Sequence, residues 1–292
     1  LEDNISNLND QQPLLAQLVE KGFVVFDQVL SQDMISRLRV ATDCILDAYS
    51  DEQKAESGNQ GNIVGMTFQD PSFQELIAWG ASLEALRNLG FDHPRYWSAF
   101  IISKEPHTPQ TYWHQDWPFW GDPVSYEPLP HQLFLMFYLV DTSPQNGCLR
   151  VIPRSHHTSH PLHLVTSTGH DGDVRHQDPS TSPAYTNYPE QVDVSVRAGD
   201  LVIGDARLLH AANANRTDQR RTVITMWYMP RYESMSKPLL AAYQARLFVP
   251  PPEDLPVDQQ TIIEPFLPNY TGDATPTPWD RIPARFLEKQ HR

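Results

Sequence analysis

The 292-residue chain has little cysteine, little glycine and little basic charge, and each shortage narrows what it can be. Two cysteines, Cys44 and Cys148, do not make a disulfide framework, so a reducing compartment is expected. Only 22 lysines and arginines stand against 36 acidic residues, a net charge of −14. That balance repels polyanions and argues against nucleic acid or an anionic membrane as partner. No apolar run approaches the roughly 20 residues of a bilayer-spanning helix. The opening stretch, Leu1 to Gln12, is polar and acidic rather than basic then apolar. A soluble, cytoplasmic protein is expected, with monomer and homodimer both open. What the chain does have is proline, 26 residues against 13 glycines, which favours loops and edge segments over long helices. Its hydrophobic share of 40%, with 10% aromatics, suffices for a core. One domain over residues 1–292 accommodates everything below.

Two periodicities follow one another along the chain. The first dozen residues carry none and are expected to be loose. Leu14, Leu15, Leu18 and Val19 have helical spacing after Pro13, and Gly22 stops the run. Phe23 to Phe26 reads as a short strand. Ser31 caps a second helix with Met34, Ile35, Leu38, Ala41, Ile45 and Leu46 on one face. Asp51 to Asn62 is polar and reads as a loop, and a helical stretch from about Phe73 to Leu89 is interrupted near Gly80. The period then changes to two: Tyr96–Ser103, Leu133–Val140, Leu149–Ile152, Val192–Val196, Leu201–Ile203 and Thr222–Met229 read as strands. Short, numerous strands after a helical flank (about 13–90) suit a mostly β double-sheet jelly roll over about 95–230. His157 to Gln191 is a long polar connection, of the kind that forms lids or stays disordered. A last helix is expected around Tyr232 to Leu247. A proline-rich tail from Val249 would then wrap the surface.

The chemistry centres on Tyr112-Trp113-His114-Gln115-Asp116-Trp117. On extended backbone, residues two apart point the same way, so His114 and Asp116 offer an imidazole and a carboxylate to one point. A third ligand must come from elsewhere. Among 12 histidines, His210 is singled out because it follows the apolar strand around Leu201–Ile203, whereas His156, His157, His160, His163, His170 and His176 sit mostly in polar loops. Two histidines and one carboxylate leave open positions on a metal, the arrangement of non-haem iron(II) oxygenases. A bare His-x-Asp is common by chance, and a histidine after a strand is more often structural. A second cluster adds weight. Arg221 opens a strand on which Arg221, Val223 and Thr225 share a face. A buried guanidinium is costly unless it meets an anion, either an internal acidic residue or a ligand carboxylate such as that of 2-oxoglutarate. Thr225 is placed to add a hydrogen bond. Arg220 falls on the opposite face.

At these residues the chain resembles the phytanoyl-CoA dioxygenase family of 2-oxoglutarate oxygenases, which also includes ectoine hydroxylase. The resemblance covers roughly Gly22 to Pro230. It rests on the Trp-His-Gln-Asp box at 113–116, on Asn146-Gly147-Cys148-Leu149 through Pro153-Arg154-Ser155-His156, and on His210, Asn215 and Arg221 in register. It implies a double-stranded β-helix, cupin-like, with flanking N-terminal helices. It implies iron(II) on His114, Asp116 and His210, 2-oxoglutarate as co-substrate on Arg221, and O2 as oxidant. Decarboxylation to succinate and CO2 would then drive oxidation of a substrate C–H bond. A carboxylate at Asp116 argues against the halogenating relatives, which carry a small residue there. Arg154 replaces the family's usual glycine. Met136 stands where many relatives have a tryptophan near the co-substrate, and Lys104 where they have Lys-Pro, facing either the co-substrate or solvent.

Substrate contacts are expected from residues beside the box: Tyr112, Trp117 and Trp120, with Arg207 two residues before Leu209. The expected substrate is a small, polar metabolite or natural-product intermediate, hydroxylated or oxidatively dealkylated. An acyl-CoA-type substrate is the alternative, disfavoured by the acidic balance. A cupin-like metal isomerase or lyase would not need Arg221, and a non-catalytic relative would be expected to have lost a ligand.

Overall fold

Pro13 opens the first helix and Gly22 closes it, as the sequence predicts. In the computed structural model, which describes residues 12–66, 68, 70–166, 174–246 and 251–288, this helix spans Pro13–Lys21. Gly22 adopts φ +89° and returns its N–H to Leu18 O. A Cβ there would come within 2.6 Å of Leu208 and 2.8 Å of His156, so the turn requires glycine. The second helix, Gln32–Asp47, is capped by Ser31 through Met34 N–H. The helical stretch expected from about Phe73 to Leu89 breaks at the expected place, into Pro71–Ile77 and Gly80–Asn88.

Asp51 to Asn62 is not a loop. Ser50 and Gln53 form a reciprocal capping box that starts a helix over Asp51–Ser57. None of its residues is buried, so it leaves no apolar periodicity to read. Residues 1–11, expected to be loose, lie outside the described residues.

Among the described residues nine strands follow in order: β1 Phe23–Phe26, β2 Asn62–Gly65, β3 Arg95–Lys104, β4 Leu133–Tyr138, β5 Leu149–Val151, β6 Val192–Val194, β7 Leu201–Asp205, β8 His210–Ala212 and β9 Arg221–Met229. They form a six-stranded sheet, β1-β7-β4-β9-β3-β2, and a three-stranded sheet, β6-β5-β8. Every pairing is antiparallel. This is the jelly roll that the strand pattern predicts.

The large sheet separates two environments by simple alternation. On one face Ile101, Leu135, Phe137, Ile224, Met226 and Tyr228 pack against the N-terminal helices in the main core. On the other, Phe100, Ile102, Met136, Tyr138, Thr225 and Trp227 face a cavity of about 670 Å³. In the β3–β9 register Lys104 lies opposite Arg221, Phe100 opposite Thr225 and Ser98 opposite Trp227, with a bulge between Tyr96 and Ser98. The bulge lets Trp97, as well as Ser98, reach the cavity.

The connection from His157 to Gln191 is ordered where described. It holds a short helix, Leu162–Val165, and 3₁₀ turns at Val174–His176 and Pro183–Tyr185. It is tied to the metal-box segment, since Trp113 donates its backbone N–H to Ala184 O and its indole N–H to Thr186 O, both at 2.8 Å. Residues 167–173 lie outside the described set.

The C-terminal tail does more than wrap. A helix at Lys237–Gln244 is followed by an unexpected one at Val257–Ile263, which packs on Pro71–Ile77. Residues 279–282 then run along the cavity. Residues 247–250 and 289–292, part of the expected helix and tail, are not described. Among the described residues no helix is long and apolar enough to cross a membrane.

Candidate active site

His114 and His210 meet across an isolated antiparallel bridge, each donating its N–H to the other's carbonyl, at 3.0 and 2.9 Å. Directly paired residues project to the same side, and the two imidazole rings lie 4.2 Å apart. Asp116 follows two residues on, its backbone held by Ala206 O at 2.8 Å. Its carboxylate oxygens lie 4.0 Å from His114 Nε2 and 3.7 Å from His210 Nε2. One ligand atom from each of the three falls within 4.8 Å of the others. Nitrogen and oxygen ligands sit roughly 2.0–2.2 Å from a zinc-sized ion, so two ligands of one ion lie at most about 4.4 Å apart. Both histidine–aspartate spacings meet that limit.

The second ring nitrogens fix the imidazoles. His114 Nδ1 lies 3.0 Å from Tyr112 O, and His210 Nδ1 lies 2.9 Å from Leu208 O. A carbonyl accepts only from N–H, which leaves each Nε2 lone pair turned to the shared point. Two neutral imidazoles and one carboxylate could hold a divalent transition metal with positions left open.

Trp227 is a site residue that the sequence reading missed. Its indole N–H donates to Asp116 Oδ2 at 2.8 Å, fixing the carboxylate's orientation. Arg221, Val223, Thr225 and Trp227 alternate along one face of β9, and all four line the cavity. Extending the period by one step would have found Trp227. Removing an outer-shell hydrogen bond of this kind lowers metal affinity roughly 10–100-fold. Trp227→Phe is therefore expected to weaken manganese(II) binding by that factor in calorimetric titration, with the melting temperature little changed.

The cavity wall around Arg221 is cationic, and among the described residues no acid pairs with it. Arg221 is 3% exposed, and its guanidinium makes no hydrogen bond or ion pair with any described residue. Thr225 Oγ1 is also buried, with no partner among the described residues. Arg220, by contrast, turns outward to Asp47 at 2.9 Å and Glu105 at 3.0 Å. Lys104 is fully buried beside Arg221, so it does not face solvent. Burial, reinforced by Arg221 and Arg150, holds its ammonium pKa well below the lysine range. Burial likewise lowers Arg221, while Tyr138 and Cys148 oppose the shift. Tyr138, which the sequence reading did not single out, lines the cavity here with Met136, and Met136 pairs with Thr225 across β4 and β9.

Two motif residues explain how Arg221 reaches this position. Asn215 Nδ2 donates to the carbonyls of Lys104, Glu105 and Gln219, pinning the turn before β9 to the end of β3. Gly147, at φ +89°, leaves the space that Lys104 and Arg221 fill. A Cβ would lie 3.1 Å from Lys104 Cδ and 3.5 Å from Arg221 Nε. Arg154, in the usual glycine's place, has φ +70°, a left-handed conformation that glycine adopts more readily.

Four expected substrate contacts do not reach the cavity. Arg207 is 2% exposed and chelates Asp205, with further bonds to the carbonyls of Ser125 and Glu127. Alternation from Leu209 fails because residues 206–208 form a turn and bend between β7 and β8. Trp117 donates to Ser125 Oγ, and Trp120 packs on Tyr126 and Phe286, both tryptophans in a satellite core. Tyr112 is fully buried against Tyr185, 5.5 Å from the His114 ring, and supports the site from behind. The residues that do form the outer wall are Trp97, Phe100, Trp279 and Arg281.

His156, His157, His160 and His163 are structural, and more buried than a polar loop suggests. His156 and His163 are fully buried and His160 is 7% exposed. Burial holds His156 at about 4, and His157 and His163 at about 3. Each is neutral in the folded protein and takes up a proton more readily when unfolded, at about 6.5. Stability is therefore expected to fall as pH drops from about 6.5 toward 4. Thermal melts across this range should show a steady decline that His157→Gln reduces.

The phytanoyl-CoA dioxygenase (PhyH) family model matches residues 18–223. Phytanoyl-CoA dioxygenase domain-containing protein 1 of Mus musculus is 30% identical over 166 residues, 55% of this chain and 53% of that protein. The chain thus spans about half the length of this curated relative. HygX from Streptomyces hygroscopicus, solved with nickel and 2-oxoglutarate, superposes with a TM-score of 0.57 at 18% identity, covering 76% of this chain and 88% of that one. EctD from S. alaskensis, solved with 2-oxoglutarate and 5-hydroxyectoine, gives 0.53 at 20% identity, covering 74% and 75%. At these identities the structural likeness establishes the fold alone. With the family model spanning most of its length, the chain belongs to the phytanoyl-CoA dioxygenase family.

Proposed function

We propose that the protein is an iron(II)- and 2-oxoglutarate-dependent oxygenase that hydroxylates, or oxidatively dealkylates, a small molecule. The observation that carries this reading is the buried Arg221, with no partner among the described residues, on the wall of a cavity that His114, Asp116 and His210 also line. An orphaned guanidinium costs several kcal/mol unless an anion meets it, and a dicarboxylic co-substrate supplies one. A metal isomerase or lyase with no co-substrate gives Arg221 nothing to do. The 2-oxoglutarate found with HygX and with EctD supports the same assignment.

In this reading His114, Asp116 and His210 hold the metal, with Trp227 orienting Asp116 and the Tyr112 and Leu208 carbonyls orienting the imidazoles. Arg221 receives the far carboxylate of 2-oxoglutarate in a two-pronged pair, Thr225 adds a hydroxyl, and Tyr138 and Met136 close the side of the pocket. Arg150 adds positive potential from behind the wall, whereas burial disfavours the charged form of Lys104. When bound, the iron supplies the oxidising chemistry that couples O2 and loss of CO2 from the co-substrate, giving succinate, to attack on a C–H bond. The chain's own task is to present one such bond beside His114 and Asp116 and to limit water there, for which the aromatic residues Trp97, Phe100 and Trp227 in the cavity wall are suited. A cavity of about 670 Å³ lies within the range of small-molecule sites.

The test is incubation with iron(II), 2-oxoglutarate, ascorbate and pools of candidate metabolites, read by mass spectrometry. The reading expects succinate, together with a substrate that gains one oxygen or loses an alkyl group. No consumption of 2-oxoglutarate under any condition would overturn it.

A further inference from the structure

Two uncharged polar side chains on the cavity face of the large sheet are buried with bonding capacity left over. Ser98 and Gln132 both line the cavity and are 0% and 1% exposed. Neither Ser98 Oγ nor Gln132 Nε2 has a hydrogen-bond partner among the described residues. Both flank Trp227. Ser98 is its neighbour on β3 and Phe134 its neighbour on β4, with Gln132 one step of alternation before Phe134. Trp227 lies six residues beyond Arg221 on β9, about 20 Å at roughly 3.4 Å a residue. The pair is thus far from the co-substrate arginine and next to the indole that holds Asp116.

Gln132 is held so that it presents donors. Its Oε1 accepts from the Tyr243 hydroxyl at 2.9 Å, which leaves the two N–H groups of Nε2 as the open end of the amide. Tyr243 comes from the helix Lys237–Gln244 and is fully buried, its ring edge-on to Trp97 at 5.1 Å and to Phe119 at 5.3 Å. The backbone is fixed as well. Ala206 donates its N–H to Gln132 O at 3.0 Å, and Ala206 O receives the Asp116 N–H at 2.8 Å. Ala206 thus bridges the Gln132 backbone to that of a proposed metal ligand. A buried donor without an acceptor is costly, and a molecule in the cavity is what can answer it. An amide and a hydroxyl carry no charge. They offset the desolvation of a neutral oxygen, but not that of a full carboxylate.

Resting on the oxygenase reading above, we infer that Gln132 and Ser98 form a substrate subsite for uncharged oxygen, a carbonyl, hydroxyl or ether on a flat, apolar body. Gln132 Nε2 donates to one oxygen, and Ser98, able to donate or accept, meets a second across the Trp227 indole. The body lies on Trp97, Phe100 and Trp227 and turns a C–H bond toward His114 and Asp116. Tyr243 is a positioning residue that acts through Gln132. An analogue lacking the oxygens leaves both groups unpaired, so the site discriminates by hydrogen bonding rather than by shape alone.

The test uses the full chain with zinc(II) as a diamagnetic metal and N-oxalylglycine at the co-substrate end. Saturation-transfer NMR follows three probes: 4-chromanone, with a carbonyl and an ether oxygen on one ring, its hydrocarbon counterpart tetralin, and tetralin-1-carboxylate. Apolar burial alone favours tetralin. The subsite instead predicts saturable binding of 4-chromanone, about fivefold or more tighter than either of the others. Gln132→Met/Tyr243→Phe replaces both partners of one bond by apolar groups of similar size, so the fold should hold while the preference vanishes. Ser98→Ala should lower the preference in part, with the melting temperature unchanged or higher, because its hydroxyl has no bond to lose. N-oxalylglycine binding should be the same in both variants. Tetralin binding as tightly as 4-chromanone, the carboxylate binding tighter, no saturable binding of 4-chromanone, or a full preference in Gln132→Met/Tyr243→Phe would overturn the inference. Failure of N-oxalylglycine to bind the unaltered protein would instead count against the oxygenase reading, and the preference for 4-chromanone is then measured with zinc(II) alone.

Discussion

Asp116→Ala is expected to abolish succinate formation while leaving the fold intact. The loss should exceed the roughly 10–100-fold that follows from outer-shell changes at metal sites, because it removes the one anionic ligand. Two imidazoles would remain, and the Trp227 N–H would lose its acceptor. Stability should move in neither direction by much. The carboxylate is 7% exposed, so in the metal-free protein its desolvation cost offsets the bonds it makes. Circular dichroism and thermal melting check the fold, and a coupled succinate assay checks turnover. Substantial residual turnover in a folded variant would contradict the assignment of this side chain.

Arg221→Met is the second large effect, with two readouts moving in opposite directions. A buried guanidinium without a partner destabilises the empty protein, and a methionine of similar length fills the space without charge. Replacing buried ionic groups by apolar ones commonly stabilises by about 1–4 kcal/mol. The melting temperature of the metal-free, co-substrate-free variant should therefore rise by several degrees. Binding of 2-oxoglutarate should weaken by roughly 2–5 kcal/mol, about thirtyfold to several-thousandfold, as for other buried charge pairs cut on one side. The requirement for the main substrate should change far less. A large fall in melting temperature would mean that Arg221 has a structural partner. Unchanged 2-oxoglutarate affinity would remove it from the co-substrate end.

How much of this was legible in the sequence depended on whether local periodicity survived. The helix at Pro13–Lys21, the Ser31 cap and the break at Gly80 were readable because each has a local cause. The metal cluster was readable because His114 and Asp116 share one extended segment, and because Arg221 and Thr225 keep a period of two along β9. The same period pointed to Trp227, but a tryptophan in a strand reads first as core. Arg207 was misjudged where the chain turns after Asp205 and alternation no longer tells direction. Trp117 and Trp120 were misjudged for a related reason: beyond Asp116 the chain leaves the cavity, and Pro118 and the 3₁₀ turn at Pro123–Tyr126 carry it into a satellite core. The outer wall was out of reach altogether. Trp279 and Arg281 arrive from a proline-rich stretch with no period, and the bonds joining Arg281 to Gln115 span 166 positions. Local propensity says nothing about a contact of that separation.

The cavity is built from two parts of the chain. The inner cations and the metal cluster sit on jelly-roll strands or on segments bonded to them, within the part of the chain that the family shares. Trp279, Arg246 and Arg281 sit on the tail.

The most direct measurement is an anaerobic titration of the metal-free protein with iron(II) in the presence of 2-oxoglutarate, followed by the charge-transfer absorption of an iron(II)–2-oxo acid chelate. The band should grow and saturate at one iron per chain, vanish in Asp116→Ala, and demand far more 2-oxoglutarate in Arg221→Met. A protein that gives no band, or an Asp116→Ala variant that gives the same band, would contradict the account.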